Sequence, residues 1–468
     1  MLTCSRLSSY SFSPVRWLTK VITLLWVASD ISVQAQQLDQ LQNRSESAKA
    51  PVKSVKTRDL PVEATENNGV NKEKPGVVST ALKWLRSTDR PGDLQIHGFV
   101  TQAYIVTSDN DVFGNSDKGG SFGLTEAGLN ASVRPLPKLQ LSAQVLSRRA
   151  GEGNTGMPRL DFAFLDYRLY SHETNQFGVR VGRLKNPFGF YNDTRDVAFT
   201  RPGILLPQSI YFDRTRNLGL SGDSVQFYGE AAVARLGTIS TQFGVWLPIV
   251  SDKDTQSSIL GVTPVGRLNR EVSYIGRGIF ETNDKSLRLG ISGIWLNTSY
   301  DPSSKSNDPL GSGSFQFTPI YFSAQYNAER WSLTSEYAIR HLKYDDNFHS
   351  KLLDNQNLYG ESYYFQGEYR FTPRLEGIVR YDVLYTDRSD RDGSDWAAQN
   401  SARQGLEHSR FAKDITVGLR WNVTPEFMLR AEYHHVNGTG WLSKLDNPNR
   451  RDTVQHWDLF SILASYRF

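Results

Sequence analysis

From about residue 93 to the end of the chain, apolar and polar residues alternate one by one. A period of two belongs to β-strands, whereas a helix face repeats every 3.6 residues. In the stretch 139–145, Leu139, Leu141, Ala143 and Val145 share one face, and Gln140, Ser142 and Gln144 the other. Leu287, Leu289, Ile291 and Trp295 form a second apolar row. Ile415, Val417, Leu419 and Trp421 stand opposite Asp414, Thr416, Gly418 and Arg420. Phe427, Leu429, Ala431 and Tyr433 stand opposite Arg430, Glu432 and His434. Sixteen such segments can be read, near 93–107, 121–134, 138–149, 159–171, 176–184, 218–234, 238–248, 271–282, 285–299, 314–328, 331–345, 359–371, 374–387, 411–422, 426–437 and 455–468. The first, fourth and sixth alternate least cleanly.

The links between these segments alternate as well. After each even-numbered strand up to the fourteenth, the link is only a few residues, as at 135–137, 172–175, 283–284 and 424–425. Pro, Asn, Asp, Gly and Thr supply the chemistry of tight hairpins there. After each odd-numbered strand the link is longer and polar, the longest being Lys185–Asn217. A water-soluble sandwich has no reason to keep its long loops at one end. A transmembrane barrel does, with an even strand number and short turns on one side. The reading is therefore an all-β, closed antiparallel transmembrane barrel of about sixteen strands. Closure is required because an open sheet edge in lipid leaves backbone groups unpaired.

Composition fits this reading. Of 468 residues only 38% are hydrophobic, and mean hydropathy is -0.46. Helical spans of about 20 apolar residues each are excluded. In a barrel only every second strand residue meets lipid, so a polar average hides one apolar face. The 21 Tyr, 24 Phe and 10 Trp suit that face and the girdles at its two rims. The one cysteine, Cys4, excludes disulfides from the rest of the chain. The formal net charge of +4 falls to +2 when Arg6, Arg16, Lys20 and Asp30 are set aside. With no basic run, nothing points to nucleic acid.

The first 35 residues read as a cleaved signal peptide. Arg16 and Lys20 precede the apolar run 21–28, and Val33-Gln34-Ala35 offers small residues for cleavage. Residues 36–92 are polar and nearly free of aromatics, which predicts a mostly disordered periplasmic segment. The barrel then occupies 93–468.

The chain ends at Phe468, with Tyr466, Ala464, Ile462 and Phe460 on the same face. With the signal peptide and the sixteen strands, this ending resembles the 16-stranded outer-membrane porin superfamily of Gram-negative bacteria, over roughly 93–468. The phosphate-selective (O/P-type) porins are the nearest branch. The resemblance implies an outer-membrane location, a homotrimer, and recognition of Phe468 and Tyr466 by the barrel-insertion machinery. It implies passage of small hydrophilic solutes and no cofactor. It also implies a third external loop folded into the channel.

If the apolar faces meet lipid, the opposite faces line the lumen. Basic residues there are Arg148, Arg180, Arg277, Arg288, Arg340, Arg370, Arg380, Arg420 and Arg430. Acids there are Glu230, Glu336, Glu368, Glu376, Asp382, Asp414 and Glu432. Arg183 falls among the apolar faces and is a misfit that a rim position would explain. Rows of arginine along a water path attract anions. Arg–acid pairs on neighbouring strands would instead brace the wall, and strands 11–15 interleave both signs closely.

The stretch Lys185–Asn217 is the third long loop. It carries Lys185, Asp193, Arg195, Asp196, Arg201, Asp213, Arg214 and Arg216, a local charge of +2. Its apolar middle, Ile204-Leu-Leu-Pro207, should not stay in water, so the loop is expected to fold onto something. Read as a constriction, it favours anions. An external loop or a subunit contact is the other reading. Enzymatic signatures are missing: the eight His are scattered, and no nucleophile elbow or phosphate loop occurs. Two rivals to the channel stay open. One is a plugged barrel serving as receptor, adhesin or anchor. The other is an outer-membrane enzyme with a Ser/His pair at one rim.

Overall fold

The computed structural model describes residues 94–172, 175–262, 264–304, 308–345, 356–400 and 406–468. The expected signal peptide, 1–35, and the expected periplasmic segment, 36–92, lie outside the described residues. Sixteen long strands follow one another: β1 Gln95–Thr107, β2 Ser121–Leu136, β3 Leu139–Ala150, β4 Arg159–His172, β5 Asn175–Lys185, β6 Ser221–Val233, β7 Gly237–Pro248, β8 Ser273–Thr282, β9 Leu287–Asp301, β10 Gly313–Asn327, β11 Trp331–Asp345, β12 Asn357–Thr372, β13 Leu375–Tyr385, β14 Phe411–Asn422, β15 Phe427–Gly438 and β16 His456–Arg467. Each expected strand is present, with its bounds within three residues of those read from the alternation. Two short segments, Asn154–Thr155 and Arg267–Arg270, extend the sheet beside β3 and β9.

Every strand pairs with its sequence neighbours. The sheet closes where β1 meets β16, antiparallel, from Phe99 opposite Arg467 to Thr107 opposite Leu459. On its other edge β1 pairs with β2. Closure leaves no sheet edge, which is what a strand structure in hydrocarbon needs. Strand lengths run from 10 residues in β8 to 16 in β2 and β12, enough to cross a bilayer at a tilt. The eight long connections are termed L1 to L8 in chain order. L1 spans 108–120, L2 151–158, L3 186–220, L4 249–272, L7 386–410 and L8 439–455.

The two faces of the wall differ as the alternation requires. Val379 is 59% exposed, while its neighbours Ile378 and Arg380 are 7% and 1% exposed. Ile291, Leu333, Phe365, Leu419 and Phe460 are likewise exposed, each on the same parity as its strand's other apolar residues. Contiguous apolar surface of this extent would drive association in water. Facing hydrocarbon, it is what a transmembrane barrel presents. Aromatics gather at the short-turn end, where Phe177 stacks on Phe227 at 6.2 Å, Tyr326 meets Trp331 at 5.4 Å and Tyr369 meets Phe371 at 5.1 Å. The polar tips of Tyr326, Trp331 and Tyr369 suit that interface, and the Phe rings its apolar side.

The apolar core lies inside the barrel and is built around L3. One cluster joins Phe188, Phe190, Leu206, Ile210 and Tyr211 of L3 to Ile275, Ile294, Tyr321 and Tyr364 of the wall. A second joins Ala198, Phe199, Ile204 and Leu205 to Ile105, Leu124, Met428, Val436 and Leu463. Where β6 was expected to begin at 218, Arg216–Leu220 instead forms a short helix, α1. Leu218 and Leu220 mimic a strand's alternation, but both are buried.

Candidate functional site: the third long loop and its anchors

Three prolines, Pro187, Pro202 and Pro207, and two 3-10 turns at Asn192–Thr194 and Ala198–Thr200 keep L3 out of the sheet. Such a segment leaves many backbone groups without a ladder partner. Side chains of the wall supply the partners. The Glu432 carboxylate accepts from Ile204 N at 2.6 Å and Leu205 N at 3.2 Å. Arg380 donates to Leu205 O at 3.1 Å, and Arg430 to Gly203 O at 2.6 Å and Arg201 O at 2.5 Å. Ser209 N reaches Asp382 at 3.3 Å. On β11, Glu336 accepts from Phe190 N at 3.0 Å and from the Tyr211 hydroxyl at 2.6 Å. Ser323 and Tyr364 also donate to Glu336. On β9, Ser292 accepts from Gly189 N at 3.0 Å. Gly189 has φ +55°, and a Cβ there would overlap the Tyr211 hydroxyl. Only glycine serves at this point.

The opposite side of the loop is held by ions. Fully buried Glu126 of β2 pairs with Arg148 at 3.0 Å, Arg201 at 3.1 Å and Arg216 at 2.5 Å. Arg148 also pairs with Asp213 at 2.7 Å, and Arg195 lies 3.7 Å from the same carboxylate. Lys185 bridges Asp161 at 2.5 Å and Asp196 at 3.0 Å. Gln144 of β3 donates to Asp196 at 2.8 Å. Arg277 of β8 binds Asp193 at 2.5 Å and Gly189 O at 3.1 Å. L3 is thus bonded to β2, β3, β8, β9, β11, β13 and β15.

Burial raises the cost of ionising Asp213, yet Arg148, Arg195 and Arg216 outweigh it and hold the carboxyl below its ordinary 3.8. Burial also pulls the Arg195 guanidinium down to about 9, against the opposing pull of Asp213. Arg216 is also penalised by burial, but Glu126, Asp196 and Asp213 hold it above its ordinary value.

Of the loop residues singled out in the sequence, Lys185, Asp193, Arg195, Asp196, Arg201, Asp213 and Arg216 are thus committed to ion pairs. Arg214 is different. Its guanidinium lies 5.3 Å from the centre of the Phe212 ring, and no ion pair holds it among the described residues.

The remaining wall charges have separate partners. Arg180 pairs with Asp166 at 2.9 Å and stacks on Tyr228 at 4.3 Å. Arg288 lies 4.6 Å from the Phe190 ring. Arg340 donates to Tyr385 O at 2.8 Å and sits 5.1 Å from the Phe212 ring. Exposed Arg370 donates to Ala328 O, and Arg420 to Asn422. Glu230 accepts from Gln176, and Glu368 from Gln366. Glu376 is opposite Arg420 and Arg370 in the ladder.

The expected bracing of strands 11–15 by Arg–acid pairs is not what forms. Among the described residues, no ion pair joins those arginines to those acids; Arg380, Arg430, Glu432, Asp382 and Glu336 turn to the L3 backbone instead. His434, on the inward face, is clasped between Asp414 at 2.9 Å and Glu432 at 3.3 Å. Its parity with Glu432 was visible, but its partner across the ladder was not. The misfit Arg183 pairs with Asp223 on β6 at 2.9 Å, two residues from the strand end.

Other loops join above L3. A helix in L4, α2 (Lys253–Leu260), is capped by Asp252 at Thr255 N. Its Asp254 accepts from Ser443 of L8 at 2.8 Å. Asp446 of L8 accepts from Glu152 N of L2 at 2.9 Å, and Asn447 exchanges bonds with Asp111 of L1. A cavity of about 20 Å³ remains between these loops, lined in part by Arg148, Asp213 and Arg214.

With this geometry in view, solved structures give a consistent match. The outer-membrane channel DcaP of Acinetobacter baumannii superposes with a TM-score of 0.50 at 13% identity, covering 81% of this chain and 99% of that one. OprB of Pseudomonas putida gives 0.51 at 11% identity, covering 84% and 97%. OmpT of Vibrio cholerae, expressed in the outer membrane, gives 0.50 at 10%, covering 82% and 99%. The chain has the fold of known outer-membrane porins. No protein-family model and no curated protein matches its sequence.

Proposed function

We propose that this protein is an outer-membrane porin through which small hydrophilic solutes diffuse, with L3 as its constriction and a preference for anions. The observation that carries the reading is the course of L3. Its bonds reach β2 and β3 on one arc of the barrel and β9, β11 and β13 on the other. A segment so anchored narrows whatever path runs past it. The anion preference rests on Arg214, Arg340 and the arginines of the wall, since most L3 cations are already neutralised. A closeness to the phosphate-selective branch accords with that preference. The proposal includes export by a signal peptide at 1–35, a periplasmic segment at 36–92, insertion guided by Tyr466 and Phe468, and assembly as a homotrimer. Phe468 joins the barrel seam through Gly98 N to Phe468 O at 3.1 Å and Phe468 N to Gly98 O at 3.0 Å.

Planar-bilayer recording tests this. Stepwise conductance with a reversal potential favouring anions is expected in a salt gradient, weakened in Arg214→Ala. Cation selectivity untouched by that change would overturn the anion assignment. A second reading, a plugged barrel with a receptor or anchoring role, draws on the bonds from L8 to L1, L2 and L4 above L3. Folded protein that never conducts would favour it.

A further inference from the structure

We propose that His434 of β15 is a positioning residue of the constriction, an imidazolium that aims the carboxylate from which the L3 turn at 203–205 hangs. The inference rests on the porin reading for what L3 does, and adds what holds L3 in place.

The turn at 203–205 is bonded on both sides, as a strand would be, but by side chains. Glu432 accepts its amide protons, through Oε1 from Ile204 N at 2.6 Å and through Oε2 from Leu205 N at 3.2 Å. Arg380 and Arg430 donate to the carbonyls of Leu205 and Gly203. The fit is close: a Cβ at Gly203 would stand 2.5 Å from Glu432 Oε1. In a ladder the backbone itself fixes such acceptors. Glu432 has several side-chain torsions to settle instead, and ordering them has an entropic cost that a further contact must offset.

His434 supplies that contact. Its Nε2 lies 3.3 Å from Glu432 Oε2 and its Nδ1 2.9 Å from Asp414 Oδ2. Thr416 Oγ1 is 3.1 Å from the same Nδ1 and accepts from Arg380 at 3.1 Å, so the ring is tied to the carbonyl side of the turn as well. A neutral imidazole has one N–H and one lone pair, and a lone pair aimed at a carboxylate is repelled. Two ring nitrogens facing two carboxylates therefore each carry a proton.

The charge around the ring agrees. Asp382 and Arg380 come from β13, Asp414 from β14, and Arg430 and Glu432 from β15, all buried, while β16 presents Leu459 and Ser461. Three acids thus meet two arginines, and the imidazolium is the third cation. Without it one buried carboxylate is uncompensated, which destabilises the place where L3 is held.

The experiment compares the folded full chain as wild type, His434→Gln, Asp414→Asn and the double variant, in detergent for proteolysis and in bilayers for recording. Chymotrypsin cleavage after Phe199 and Leu205, read by mass, reports how firmly the turn is held. His434→Gln keeps a donor and loses the charge. It should speed that cleavage by about tenfold or more and add fluctuations to the open-channel current. Asp414→Asn alone should also speed cleavage. The double variant restores the charge balance and should slow cleavage again by about threefold or more relative to His434→Gln. A side chain that merely filled space would give additive losses. His435→Gln, one position on and facing outward beside Asp458, should change nothing. His434→Gln cleaved like wild type, or a double variant no less labile than His434→Gln, overturns the role. Where a variant does not fold, nitrogen-15 spectra of labelled histidine in the wild type decide. Two protonated nitrogens on one ring protected from solvent exchange are expected at the recording pH, and a single N–H on that ring overturns the imidazolium. Recording separates this from the porin reading: wild type that never conducts removes the porin, and the cleavage rates still judge His434.

Discussion

Glu126 has no exposure and faces three guanidiniums. Two come from L3 and one from β3, so this carboxylate ties loop to wall. Replacing it with Gln leaves three buried cations facing a neutral amide, at a cost of about 3–5 kcal/mol. Glu126→Gln is therefore expected to lower the unfolding midpoint in denaturant and to open L3 to protease. Unchanged midpoint and protection would remove Glu126 from this role. Acid should have a related effect. Because Asp213 is held below 3.8 in the folded chain, its ion pairs stabilise L3 fully above that pH. The stabilisation is lost as pH falls through the lower folded value. Protease protection of L3 should persist at pH 5 and fail first below about 3.8. Loss already at pH 5 would contradict the pairing.

At the scale of elements, strands and loop differed in how far they could be read. A strand declares itself locally, because each apolar residue is two positions from the next and one face must avoid water. Residues 415–421 showed their inward and outward rows without reference to any partner. L3 gave away its apolar middle and its charges, but its anchors are remote. Ile204 is bonded to a residue 228 positions later, and Phe190 to one 146 positions later. Nothing in the spacing of Arg201 announces Glu126, 75 positions earlier. The sequence therefore showed that L3 folds onto something, and left open which of its cations stay free for solute. Gly189 tests the anchoring of this element. Gly189→Val places a branched side chain where the Tyr211 hydroxyl lies, at a positive φ. The expected result is a folded barrel with altered, noisier single-channel conductance. Conductance identical to wild type would show that L3 does not set the width.

For the whole molecule, the outer face carries the prediction. Val379 lies mid-strand on β13 among exposed apolar residues. Val379→Arg should cost about 2–4 kcal/mol if that face meets hydrocarbon near the midplane. Refolding into bilayers under denaturant titration measures it. A change within about 0.5 kcal/mol would argue against a lipid-facing Val379.

The same long-range anchors impose an order of events. L3 has no ladder of its own, and β11, β13 and β15 carry much of its support. The expected order is that the wall closes first and the loop settles into it afterwards. A freshly closed barrel is, for that interval, an emptier and wider conduit than the finished one. Refolding into bilayers should accordingly show an early, large conductance that falls as protection of L3 against protease appears.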